Sequence, residues 1–306
     1  MNERYINDSQ IGLNLRKAPW KGYKWLWPSL ILLFVISLLP WLIMGNYSFR
    51  NINFANPSAT GEYVGLDNYR TALNYPDVSS SLWLTIKIIL VCLPIEFLIG
   101  LIVALCLASQ IKLKKWTLPI IIIPMIISPV VVGLIGNLSL NPDFGLIGII
   151  LKNIGLVSGA ILGSYKLAPI SIMAIDIWQW SPFMILIFTA GLLSLPKAPF
   201  EAASVDGASS WQTFWKVTLP LLKPIFVISI LLRFTDLFKI FDKIFIMTGG
   251  GPGNATEVSN ILAYRINFVF WDLGYGSTVV MLLYIVSFLA CLVFVKVTTS
   301  KEKGSR

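Results

Sequence analysis

Four polar and aromatic residues share one face of a predicted membrane helix. Asp176, Gln179, Trp180 and Phe183 lie at offsets of 0, +3, +4 and +7, within roughly a 100° arc of an α-helix. Such side chains are costly in a membrane unless they face protein or water. A carboxylate and an amide can bind hydroxyl groups, and the rings offer flat apolar faces. The face predicts a site for a sugar-like solute; the alternative is a buried polar patch that only fixes helix packing.

A stripe of charge follows on the next predicted span. Arg233, Asp236, Lys239 and Lys243 fall within roughly a 120° arc, with Asp242 beside them. Opposite charges three residues apart can pair along a helix, which lowers the cost of burying them. We expect Lys239, Asp242 and Lys243 to lie near the outer end of the span, as structural pairs or gate residues.

Several kinds of chemistry are excluded by residue type. The chain has no histidine, and its three cysteines, Cys92, Cys106 and Cys291, all fall in apolar stretches. Histidine-based catalysis, a His-ligated metal and a disulfide framework are therefore not expected. No Gly-x-x-x-x-Gly-Lys-Ser/Thr loop occurs, so this chain cannot hydrolyse ATP by that route. We expect no metal and no cofactor on this chain, and any ATP hydrolysis of this kind must take place on another polypeptide.

The composition is that of a membrane protein. Hydrophobic residues make up 56% of the 306 residues and charged residues only 13%, about half the usual charged fraction of a soluble domain. Stretches of about 20 apolar residues can cross a bilayer. Six such stretches are predicted: 25–45, 82–108, 117–139, 170–193, 224–247 and 274–295. Glu96 lies inside the second of them and needs a partner that the sequence does not identify.

The distribution of Lys and Arg predicts the orientation. Both ends and the connections 109–116 and 194–223 carry fifteen of these residues, whereas the alternate connections carry five. By the positive-inside rule, both termini face the cytoplasm. The connections 46–81, 140–169 and 248–273 then lie outside.

A polar segment separates the fourth and fifth predicted spans. Glu201 suits the first turn of a short helix, and Gly207 suits the left-handed residue that ends it. Ser209 and Gln212 can form the capping box of a second short helix. This helix carries an aromatic ridge at spacing i, i+3, i+4, formed by Trp211, Phe214 and Trp215. The ridge predicts that the helix enters a groove on a partner protein.

Four ordered motifs resemble those of the bacterial ABC importer permeases. The resemblance is to the sugar, polyol and glycerol-phosphate branch, and within that branch to the maltose-type first permease. The motifs are Glu201-Ala202-Ala203 with Gly207 and Leu219-Pro220, the GLDNY run at 65–69, Trp178 with Pro182-Phe183, and Phe241-Asp242 followed by TGGGP at 248–252. The resemblance covers residues 25–297, nearly all of the chain. It implies an all-α membrane protein with six transmembrane helices, the type I ABC importer permease fold, and cytoplasmic coupling helices in the EAA loop, 199–220.

The resemblance also implies a function and a set of partners. The chain would form half of the translocation pathway for a sugar or polyol that an extracytoplasmic solute-binding protein delivers. A second permease would complete the pathway, and two ATPase subunits would use ATP and Mg²⁺. The chain would lie in the bacterial inner membrane, as a permease domain at 25–297 between a cytoplasmic arm, 1–24, and a cytoplasmic tail, 298–306.

Two sets of site residues follow from the same resemblance. The positions that correspond to the family's solute site are Asp176, Gln179, Trp180, Phe183, Arg233, Asp236 and Leu237. The positions that correspond to its ATPase-coupling loop are Glu201, Ala202, Ala203, Asp206, Gly207, Trp211, Phe214, Trp215, Leu219 and Pro220. Maltose-type permeases have an amide in place of Asp176 and a small residue in place of Trp180, so a tighter and more acidic pocket is expected here.

Two other classes of membrane protein are the alternatives. A self-contained secondary carrier would show internal repeats and broken helices, and no clear repeat is visible in the sequence. A membrane-embedded enzyme would need a nucleophile and a base, and the polar residues within the spans do not supply such a pair.

Overall fold

The computed structural model describes residues 26–56, 58–59, 61–109, 116–157 and 159–303. The predicted arm 1–24 lies outside these residues. Within them, all of the regular structure is helical apart from two isolated β-bridges. The α-helices are α1 Trp27–Tyr47, α2 Asp67–Asn74, α3 Pro76–Ser109, α4 Thr117–Ile126, α5 Pro129–Ser139, α6 Leu146–Asn153, α7 Leu167–Leu193, α8 Ala198–Val205, α9 Ser210–Thr213, α10 Leu219–Leu237, α11 Asp242–Met247, α12 Ser259–Tyr264 and α13 Leu273–Lys303. Two π-helical turns, Phe214–Thr218 and Arg265–Val269, continue α9 and α12.

The helices confirm an all-α membrane architecture. In the described part of the chain, α1, α3, α7, α10 with the turns before it, and α13 are each long and apolar enough to cross a bilayer. The pair α4 and α5 makes a sixth crossing if it is counted as one bent span. The chain is therefore a multi-pass membrane protein.

The third predicted span, 117–139, is not one straight helix. It is bent by 91° between α4 and α5. Ile127 and Ser128 are extended, with ψ of 134° and 137°. For Ser128 the cause is the ring of Pro129, which disfavours the helical conformation of the residue before it. The carbonyl group of Ile127 instead accepts a hydrogen bond of 3.0 Å from the Gln179 amide on α7.

The fifth predicted span, 224–247, is displaced along the chain and interrupted. The helical run that is long and apolar enough to cross a bilayer extends from Ser210 to Leu237, because α9 and the π-helical turn lead directly into α10. Helix α10 ends at Leu237, and α11 begins only at Asp242. The amide of Asn260 donates to the carbonyl oxygen of Phe238 at 2.8 Å, so one acceptor released by the break is satisfied. Helix α11 then packs against α5, and this brings Lys243 back towards the bundle.

Helices α3 and α7 form the most extensive helix contact of the bundle. Gly100 allows their close approach, since a Cβ atom at that position would lie 2.4 Å from the Cβ of Met184. Next to it, the rings of Phe97, Phe188 and Phe226 pack edge to face, with centroids 4.9–5.2 Å apart, and join α10 to the pair. This packing places Glu96 opposite α7 and α10.

Candidate functional site

A cluster of charged side chains lies between four helices. Arg233 on α10 donates from Nε and Nη2 to the two oxygens of Glu96 on α3, at 2.7 and 2.9 Å. It also donates from Nη1 to Asp236 at 2.7 Å and from Nη2 to Asp176 on α7. Glu96, Asp176 and Arg233 are almost fully buried, whereas the Asp236 side chain is 48% exposed. Arg233 is therefore the cation that compensates the buried negative charge of Glu96.

Lys243 extends the cluster to α11. Its ammonium group donates to the second oxygen of Asp176, and both side chains are buried. Both Asp176 oxygens are thus occupied by cations of the protein itself. The pair depends on the break after α10, because that break carries Lys243 out of the α10 stripe and towards α7.

A small cavity opens beside this cluster. Its volume is about 70 Å³, and its wall includes Asp176, Trp180, Arg233, Asp236 and Lys243. The Trp180 ring lies over the guanidinium group, with its centroid 4.9 Å from Cζ of Arg233, in a cation–π contact. A water molecule takes up about 30 Å³ in the liquid, so this cavity has room for water but not for a sugar ring.

The predicted face of α7 is divided by the fold. Asp176 and Trp180 line the cavity together with Arg233 and Asp236 from α10. The remaining predicted residues lie outside its wall. Gln179 is buried and donates to Ile127, and its side-chain oxygen Oε1 has no hydrogen-bond partner among the described residues. Leu237 belongs to the main hydrophobic core. Phe183 packs against the cluster of Ala104, Met184 and Phe188.

The cavity also includes residues that the helical spacing did not assign to the solute. Lys239, Ile240, Phe241 and Asp242 reach its wall from the break between α10 and α11, and Pro129 does so from the start of α5. The proline was a usable signal, since a proline within an apolar run favours a local break. The partner of Glu96 had no such local signal.

The polar segment after α7 has the local structure that its sequence predicts. Helix α8 ends before Gly207, which has the left-handed φ of +69°. In the capping box, the backbone N–H of Gln212 donates to the Ser209 hydroxyl at 3.3 Å, and the N–H of Ser209 donates to Oε1 of Gln212 at 2.9 Å. The predicted capped turn between two helices is confirmed, but the second helix is not short, because α9 continues through the π-helical turn Phe214–Thr218 into α10.

The aromatic ridge lies on the outside of this segment. Trp211 is 70% exposed and Trp215 is 53% exposed, and their ring centroids are 5.6 Å apart in an edge-to-face arrangement. Phe214 completes the group, at 5.5 Å from Trp215. A patch of large exposed rings on a rigid, capped turn has the properties of a protein-docking surface.

A family model matches residues 96–299 of the chain; its family is described as the binding-protein-dependent transport system inner membrane component. The chain belongs to this family. It is an ABC importer permease, and the alternative of a secondary carrier is not supported.

Curated relatives of the permease cover most of both chains. The trehalose/maltose transport system permease protein MalF of Thermococcus litoralis is 32% identical over 279 residues, which is 90% of this chain and 92% of the relative. The sulfoquinovosyl glycerol transport system permease protein SmoG of Agrobacterium fabrum is 30% identical over 276 residues, covering 90% of this chain and 89% of the relative.

A solved structure has the same fold. A chain of a bacterial ABC transporter involved in the import of the acidic polysaccharide alginate superimposes with a TM-score of 0.76 at 20% sequence identity. The alignment covers 92% of the permease and 98% of that chain. The likeness supports a type I importer permease fold.

One ion pair holds a glycine-rich loop of the permease outside the spans. Glu257 is 3% exposed, and its Oε1 lies 2.7 Å from Nη1 of Arg265, whose Nη2 donates to the carbonyl oxygen of Gly249 at 3.3 Å. Burial raises the pKa of Glu257, and the positive charge of Arg265 opposes that rise. The contacts tie the start of the loop after α11 to the turn after α12.

Proposed function

We propose that the permease forms one half of the translocation pathway of an ATP-driven importer for a sugar or polyol. The observation that carries the proposal is the cavity between α7 and α10, whose wall contains both the Trp180 ring and the partly exposed Asp236 carboxylate. An aromatic face next to hydrogen-bonding groups suits a polyhydroxylated solute. The relative named for trehalose and maltose supports the same class of solute.

The proposed site keeps the residues that the sequence predicts, with different roles. Trp180 and Asp236 contact the solute when the cavity opens, and Arg233 and Asp176 hold the cavity wall in shape. Gln179, Phe183 and Leu237 fix the helices behind it. Because the cavity of about 70 Å³ is too small for a sugar ring, a movement of α10 and α11 relative to α7 has to precede solute entry.

The proposed partners follow from the two ends of the bundle. A second permease completes the pathway, and an extracytoplasmic solute-binding protein delivers the solute to the outer connections. Two ATPase subunits use ATP and Mg²⁺ and dock on the segment 199–220, which lies in the cytoplasm with both termini. Its proposed contact residues are Glu201, Ala202, Ala203, Asp206, Gly207, Trp211, Phe214, Trp215, Leu219 and Pro220.

Reconstitution in liposomes tests which subunits are required for ATP hydrolysis and for solute uptake. The purified chain alone should neither hydrolyse ATP nor take up sugars or polyols, because it has no phosphate-binding loop. Uptake should require the second permease, the two ATPase subunits, the binding protein and ATP. Uptake by the chain alone under a proton or sodium gradient would contradict the proposal.

Changing Trp180 to Ala should alter solute selectivity. The substitution removes a ring from the cavity wall and uncovers Arg233, so uptake of maltotriose relative to maltose should rise by about tenfold, within the range for such pocket changes. Trp178→Ala is the matched control, because Trp178 lies on the same helix but lines a separate, apolar cavity. Both variants are compared as initial uptake rates of labelled sugars by the complete importer at equal abundance. An unchanged ratio in Trp180→Ala would place the solute elsewhere.

A further inference from the structure

The formal charges on the wall of the cavity balance each other. The net charge becomes negative when Glu96, which lies behind the wall, is included. The wall contains three cations and three carboxylates: Arg233, Lys239 and Lys243, and Asp176, Asp236 and Asp242. Glu96 is not part of the wall, but it is fully buried and bonds Arg233 from behind. A fourth carboxylate therefore acts on the cavity through a medium that screens charge poorly.

Arg233 has almost no binding capacity left for a solute. Four of its N–H groups donate to carboxylates, two of them to Glu96, out of the five that a guanidinium group carries. One ring face is covered by Trp180. The bidentate mode by which arginine binds phosphate or carboxylate is thus occupied by the protein's own groups.

The other two cations are no better placed for an anion. Lys243 is buried and donates to Asp176. Lys239 is exposed, but Asp236 and Asp242 are exposed on the same cavity wall. An anionic solute at Lys243 would have to displace Asp176. An anionic solute at Lys239, which forms no ion pair among the described residues, would lie beside Asp236 and Asp242, and like charges in contact disfavour both arrangements.

We propose that the cavity selects uncharged polyhydroxylated solutes against anionic ones such as sugar phosphates and uronates, and that Glu96 is a specificity-determining residue that never touches the solute. The inference rests on the proposed function and narrows its class of solute. Glu96 acts by neutralising Arg233, and Asp236 adds an exposed negative charge at the opening.

Uptake by cells that carry the complete importer, its binding protein included, tests the solute class. The labelled probes are maltose, trehalose, sorbitol and glycerol as neutral solutes, and glucuronate and glycerol 3-phosphate as anions. We expect uptake of a neutral probe at least about tenfold faster than of either anion. Faster or equal uptake of an anion would overturn the inference while leaving the proposed sugar or polyol function standing. Uptake of none of the probes would contradict the proposed function, and the inference would fall with it.

Variants that remove a single negative charge test the proposed roles of Glu96 and Asp236. Purified complexes without the binding protein are dialysed to equilibrium against labelled trehalose or trehalose 6-phosphate, a pair that differs by one phosphate group. Glu96→Gln and Asp236→Asn should each raise the ratio of bound phosphate ester to trehalose by about tenfold, because the first removes a negative charge behind Arg233 and the second removes one at the opening. Asp143→Asn is the control, since it removes a charge from an exposed pair with Lys152 that does not line the cavity. Asp236 is partly exposed, so Asp236→Asn keeps the test decisive if Glu96→Gln does not assemble. The same ratio in all three variants as in the unmodified complex would overturn the roles of Glu96 and Asp236.

Discussion

Replacing Arg233 with methionine is expected to unfold the permease or prevent its assembly. The substitution leaves Glu96 fully buried without its cation, whereas Asp176 keeps Lys243. Removing one partner of a buried ion pair costs about 3–5 kcal/mol, a large part of the stability of a typical domain. The measurement is the thermal unfolding midpoint of the purified permease in detergent, together with the amount of folded complex recovered from membranes.

Two further variants show whether the unpaired charge is the cause. Arg70→Met removes an arginine from an exposed pair with Asp67, at 3.2 Å, and should change stability by less than about 1 kcal/mol. The double variant Arg233→Met with Glu96→Met should recover most of the lost stability, since no unpaired charge is left behind. An unfolding midpoint of Arg233→Met equal to that of the unmodified permease would show that the cluster does not stabilise the bundle.

Changing Gly207 to Val should abolish stimulation of ATP hydrolysis by the solute-loaded binding protein. Gly207 has a φ of +69°, and a Cβ at this position would meet no atom within 4 Å. The cost therefore comes only from the backbone conformation, about 1–3 kcal/mol for a side chain that tolerates it poorly. We expect the turn between α8 and α9 to change shape, which displaces the Trp211 and Trp215 rings from their proposed docking position.

A graded series separates the turn geometry from a general loss of folding. Gly207→Asn should keep most of the stimulation, since asparagine adopts the left-handed conformation more readily than valine. Gly159→Val is the control outside this segment, because a Cβ there meets no atom and the backbone is not left-handed. The assay is ATP hydrolysis by the purified complex with and without the loaded binding protein. Full stimulation in Gly207→Val would exclude this turn as the coupling element.

Features that are set by residues close together in the chain could be predicted from the sequence, whereas features that depend on contacts between distant residues could not. The capping box of Ser209 and Gln212 and the left-handed Gly207 depend on neighbouring residues, so their residue types predicted them. The transmembrane spans followed in the same way from local hydropathy. For the break near Pro129, hydropathy alone was insufficient, because α4 and α5 together are long and apolar enough to be counted as one crossing.

The candidate site depended on contacts between distant positions. Glu96 and Arg233 are 137 residues apart, and no helical period relates them. Lys243 faces Asp176 only because the chain breaks between α10 and α11, a bend that the charge stripe did not predict. Helical spacing could place Asp176 and Gln179 on one face, but it could not determine that Gln179 turns towards the bend at Ile127.

The bend at Ile127 has a consequence for how the protein is inserted into the membrane during synthesis. Helices α4 and α5 have 10 and 11 residues, so each is only about 15 Å long, half of the hydrocarbon thickness. Neither half can cross alone, and the backbone groups at the bend must be satisfied by protein. The helices that support them, α7 and α11, come later in the chain, as does Gln179. The third span therefore reaches its final position only after the ribosome has completed the segment through Met247, and until then its bend needs contacts with the protein of the translocation machinery.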